Sequence, residues 1–60
     1  MTIYETYHDH INGWHLQLRE EGFFYVELER ADGTVESLKC HTFKWASRFF
    51  WQKLRENRGE

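Results

Sequence analysis

The chain has 60 residues, a formal net charge of −2, a pI near 6.1, 40% hydrophobic residues and 18% aromatic ones. That length admits a single domain over residues 1–60 with one core, and so many apolar rings exclude a disordered chain. The slightly acidic balance supplies no bulk positive field to gather nucleic acid or an anionic membrane, so such contacts need a local basic patch.

Cys40 is the only cysteine, which rules out an internal disulfide and points to a reducing, cytoplasmic setting. The sequence holds no apolar run of membrane-crossing length and no charged-then-apolar leader, so no membrane partner is expected.

Residues 3–11 carry Ile3, Tyr7 and Ile11 at odd positions and end at Asn12-Gly13, a strong hairpin signal. A two-residue loop there pairs Ile11 with Trp14, Asp9 with Leu16 and Tyr7 with Leu18. It sets Trp14, Leu16 and Leu18 on the face of Ile3, Tyr7 and Ile11. Glu5 and Asp9 then fall on that face too, so this first strand either passes the edge of the core or is shorter, or absent.

The next reversal contains Glu20, Glu21 and Gly22. A three-residue loop with Gly22 left-handed pairs Leu18 with Phe24, Leu16 with Val26 and Trp14 with Leu28. A two-residue loop instead sets Leu16 and Leu18 against Glu27 and Tyr25. By the same test, a three-residue loop Ala31-Asp32-Gly33 pairs Val26 with Leu38 and Phe24 with Cys40.

From Thr42 to Arg58 the period changes to that of a helix. Thr42 suits the N-cap, while Asn57 and Gly59 mark the stop. Phe43, Ala46, Phe50 and Leu54 form the core stripe, widened by Phe49 and Trp45 on one side and Trp51 on the other. Lys44, Arg48, Gln52 and Arg55 fill the remaining strip between the two tryptophans. The expected fold is α+β: an antiparallel meander of three to four strands with one C-terminal helix packed on one face, ββββα.

Parity fixes the outer face as Tyr4, His8, His10, His15, Gln17, Arg19, Phe23, Tyr25, Glu27, Val35, Ser37, Lys39 and His41. Aromatics interleaved with cations suit a protein interface or a surface that stacks bases and touches phosphates. The lack of acid in the first helical turn, with Lys39, His41 and Lys44 nearby, adds an anion-friendly helix start. In layout, Trp14–Leu54, three strands followed by a helix that opens Thr42-Phe43-x-x-Ala46, resembles the arm-binding and AP2-like domains, which lay a sheet in the DNA major groove. The resemblance implies a DNA-facing sheet. Glu20, Glu21, Glu27, Glu29 and Glu36 depart from such modules.

His8 and His10 share a strand face, and the two-residue loop sets His10 opposite His15, the three imidazoles being the only candidates for a metal. Cys40 and His41 alternate across the strand, so they form no nucleophile–base pair. The four glycines are absorbed by turns and an end, leaving no phosphate-cradling loop. No catalytic residue and no cofactor are expected. The reading is a non-enzymatic binding module that associates with a protein, a second copy included, through exposed aromatics. The alternative is nucleic-acid binding through the outer sheet face and helix start, and the lesser alternative is metal binding by the histidines. The candidate contact residues are Tyr4, Arg19, Phe23, Tyr25, Lys39, His41, Lys44, Arg48, Trp45 and Trp51.

Overall fold

A computed structural model describes residues 1–59. Four antiparallel strands, β1 (Thr2–Asp9), β2 (Trp14–Glu21), β3 (Phe23–Glu29) and β4 (Val35–Cys40), form one sheet in the order β1-β2-β3-β4. A single helix, α1 (Phe43–Arg58), follows and packs against β2, β3 and β4. The fold is α+β, ββββα. No helix among the described residues is long and apolar enough to cross a membrane.

Period-2 alternation in β2 and β3 puts Trp14, Leu16, Leu18, Val26 and Leu28 on one side, where they join Cys40, Ala46, Phe50 and Leu54 in a single buried cluster. The helix contributes Ala46, Phe50 and Leu54, four residues apart, whereas Phe43 of the expected stripe stays 45% exposed at the helix start. The Thr42 hydroxyl accepts from the Trp45 N–H, and Gly59 closes the other end in a left-handed conformation. Lys53 Nζ lies 2.6 Å from Glu36 Oε1, and Arg30 lies 2.8 Å from Glu36 Oε2, so one carboxylate ties α1, β4 and the loop before β4 together. Burial raises the Cys40 thiol pKa, in keeping with a core role.

The β3–β4 hairpin has the expected register, with Val26 opposite Leu38 and Phe24 opposite Cys40. Gly22 and Gly33 both hold positive φ, 79° and 89°, which their reversals need. Three expectations are corrected. First, the β1–β2 connection is a four-residue loop over 10–13, with Asp9 opposite Trp14 and Tyr7 opposite Leu16. The cause is Asp9, whose Oδ1 accepts from the Ile11 and Asn12 N–H groups while its Oδ2 accepts from Asn12 Nδ2. That side-chain turn outcompetes the tight Asn-Gly hairpin and throws Ile11 into water at 95% exposure instead of onto the inner face. Opposite His15 now stands His8, not His10.

Second, β2 and β3 stay paired up to Glu21 and Phe23, reversing at Gly22, so Leu18 faces Val26 and Leu16 faces Leu28. This register sits two residues from the expected one, and a two-residue shift leaves every face assignment intact. What favours it is Arg19. Opposite Tyr25, its guanidinium lies 5.3 Å from the ring centroid and 2.9 Å from Glu27 Oε2. Third, β1 carries a bulge between Ile3 and Glu5. The extra residue, Tyr4, turns to the inner side, against Phe43 (5.1 Å) and Phe24 (6.1 Å), while Ile3 pairs with Arg19 of the outer face.

The carboxylates that shape these turns make stability pH-dependent. Asp9 is held below its ordinary pKa by the Asn12 and Ile11 donors, Asp32 by Thr34, and Glu36 by Lys53 and Arg30. A group depressed in the folded state contributes its full stabilisation above its unfolded pKa and loses it as pH falls through the folded one. Urea midpoints are therefore expected to fall from about pH 4 downward. Asp9→Asn with Asp32→Asn, which keeps an acceptor in each turn but removes the titration, should flatten that acid limb. An unchanged limb in the double variant contradicts the assignment.

Candidate functional site

The open outer face of the sheet is organised around Arg19. Its Nε donates to Glu21 Oε1 at 2.7 Å and its Nη1 to Glu27 Oε2 at 2.9 Å, and its carbon head stacks over Tyr25. A guanidinium so engaged has its charge answered twice from within the chain. Further along the same face, Lys39 Nζ lies 3.8 Å from the Phe23 ring centre, and His41 meets that ring edge-on at 5.1 Å. Arg19 and Tyr25 thus form one cluster, and Phe23, Lys39 and His41 a second beside it. Tyr4 is absent from both: the bulge puts it inward, where its hydroxyl donates to Glu20 Oε1 at 2.7 Å, a bond that raises its pKa.

At the other end of the sheet His8 stacks on His10 and tilts against His15, each pair with centroids 4.9 Å apart. His15 Nε2 lies 3.2 Å from Glu29 Oε1. The His8 and His10 ring planes differ by 16°, so their in-plane nitrogen lone pairs run alongside each other and do not converge. No group of three His, Cys, Asp or Glu among the described residues is disposed to hold a metal ion.

The solvent side of α1 is different in kind. Trp45 is 55% exposed and Trp51 48% exposed, at the two borders of the strip that carries Lys44, Arg48, Gln52 and Arg55. The Arg48 guanidinium lies 5.3 Å from the Trp45 ring centre, and Trp51 stands edge-on to buried Phe50 at 5.3 Å. Each tryptophan is therefore oriented by a contact at one side and open to water at the other. Ser47, Arg48, Trp51, Gln52 and Arg55 line a shallow open hollow on this side. Arg55 belongs to the strip although it was not among the candidate contact residues. Its signal, seven residues after Arg48, was present in the helical period.

Charge is segregated between the two layers. Within Phe43–Arg58 there are five cationic residues and one acidic one, Glu56, whereas residues 1–42 hold three cationic and eight acidic. Every carboxylate of residues 1–42 other than Glu5 has an internal partner. Glu20 takes Tyr4, Glu21 and Glu27 take Arg19, Glu29 faces His15, Glu36 takes Arg30 and Lys53, and Asp9 and Asp32 accept turn donors. On α1 the reverse holds. Lys44, Arg48 and Arg55 have no carboxylate partner among the described residues, which leaves the helix face positive. A small cleft lined by Val26, Leu28, Glu36, Leu38, Phe49 and Lys53 offers about 10 Å³, room for a single water at most.

Comparison with protein families, curated proteins and solved structures finds no match to this chain. The surfaces above are accordingly read from their own chemistry.

If Arg19 is a structural staple of the outer sheet face, Arg19→Ala should cost roughly 1 kcal/mol, through lost ion pairs and lost cover of Tyr25. Urea unfolding of the variant measures it. A loss below a few tenths of that size contradicts the staple.

Proposed function

We propose that this chain is a non-enzymatic binding module that associates with a protein through the solvent side of α1. The observation that carries the reading is the pair of half-exposed tryptophans beside Arg48 and Arg55, cations that no described carboxylate answers. In a domain this short, large rings are the main currency of burial. Two rings left half in water, each steadied by a neighbour, have the character of interface anchors, since Trp and Arg carry much of the energy where proteins meet. A buried thiol without a disulfide is in keeping with work in the cytoplasm.

Nucleic-acid binding is the second reading, and it draws on the same strip. The first turn of α1 has no acidic residue, and cations alternate with rings that stack bases. The outer sheet supports it less, because Arg19 is already bound to Glu21 and Glu27.

Trp45→Ala/Trp51→Ala separates a working surface from spare packing. Half of each ring is buried, so the double variant should lose about 2–4 kcal/mol of stability, with retention compared under conditions where the buried Trp14 indole signal shows the variant folded. Against wild type, it should lose at least tenfold in retention of a stoichiometric protein partner, or lose concentration-dependent mass in light scattering. Equal retention together with a monomeric wild type at high concentration contradicts the proposal. Salt-sensitive retention of short duplex or single strands, with no protein partner, selects the second reading.

A further inference from the structure

The same strip carries information about what kind of partner it takes, and this inference rests on the reading of α1 as the contact surface. Lys44, Arg48 and Arg55 fall on one line along the helix at spacings of four and seven, which spans about 16 Å at 1.5 Å per residue. Trp45 and Trp51 border that line on either side. A row of cations between two apolar walls complements a row of carboxylates flanked by apolar side chains. We infer that α1 docks an acidic amphipathic segment of another protein, one whose Asp or Glu residues recur at helical spacing.

Two other occupants fit less well. A second copy of this chain brings the same excess of cations on its own α1, so helix-to-helix self-packing sets like charges against each other. Its strand layer also offers few unpaired carboxylates, since all but Glu5 are held by internal partners. Duplex nucleic acid is long and uniformly anionic, whereas the molecule is only 16 Å through its thinnest dimension. The acidic strand layer therefore lies within about two Debye lengths of any duplex on α1, and the chain as a whole is negative. A short acidic segment meets only the local positive strip.

The test uses the full ¹⁵N-labelled chain and three probes: a synthetic helical peptide with four Glu along one stripe flanked by Leu, the same peptide with Gln for Glu, and a short DNA duplex. The Trp45 and Trp51 indole N–H signals report contact, and that of buried Trp14 reports that the fold is intact. The Glu peptide should shift both exposed indoles saturably. Its affinity should drop about tenfold between 50 and 300 mM NaCl and at least tenfold in Arg48→Glu/Arg55→Glu, with Trp14 unmoved. Equal binding of the Gln peptide overturns the charge complementarity, and tighter binding of the duplex overturns the choice of a protein segment. If the Glu peptide leaves both indoles unmoved, the inference fails. The underlying reading then still stands when Trp45→Ala/Trp51→Ala releases a protein that wild type retains, and it fails too when no such difference exists.

Discussion

One contact makes the rest of this molecule possible: the seating of Phe50, with Ala46 and Leu54 on either side, against the inner faces of β2 and β3. Phe50, Leu16, Leu18 and Leu28 are the largest side chains wholly withdrawn from water, and they belong to a single cluster. A four-stranded sheet has two faces, and one helix covers only one of them. The helix in turn has one stripe for the core and must leave the opposite side in solvent. The whole surface chemistry follows from that geometry, because what is not beneath Phe50 is displayed.

The two displayed surfaces have been treated in opposite ways. On the sheet, charges are matched in place. Arg19 bridges Glu21 and Glu27 above Tyr25, and His15 faces Glu29. Exposed pairs of this kind add little stability individually, but they do cancel the field that the strand carboxylates would project. On the solvent strip of α1, Lys44, Arg48 and Arg55 have no carboxylate partner among the described residues and lie between Trp45 and Trp51. A helix this rich in Lys and Arg gains something from the favourable placement of Arg55 and Arg58 in the last turn. That gain does not extend to Lys44 in the first turn, where a positive charge opposes the helix dipole.

The fold was legible because parity is robust. Leu16, Leu18, Val26 and Leu28 alternate with Gln17, Arg19, Tyr25 and Glu27, so the inner and outer sides of β2 and β3 follow from spacing alone. Parity is also blind to shifts of two, and both displaced registers lie in that blind spot. They were decided by side chains acting on the backbone or on one another: Asp9 folding back on the loop after it, and Arg19 finding Tyr25 and Glu27. The bulge at Tyr4 was hidden for a similar reason, since a tyrosine reads equally well on either face until Phe24, Phe43 and Glu20 are brought to it. Of the candidate site, the α1 strip was readable from the 3.6-residue period, Arg55 included. The neutralisation of Arg19 was not, because it depends on cross-strand neighbours that only the register supplies.

The central claim is that a single-sided core withdraws one tryptophan and leaves two at the surface of α1. A soluble paramagnetic agent added to dilute ¹⁵N-labelled protein reads this directly from the three indole N–H signals. Strong broadening of the Trp45 and Trp51 signals with Trp14 preserved is the predicted result. Broadening of Trp14, or protection of both helix tryptophans in dilute solution, contradicts the packing of α1 and with it the surface assigned to a partner.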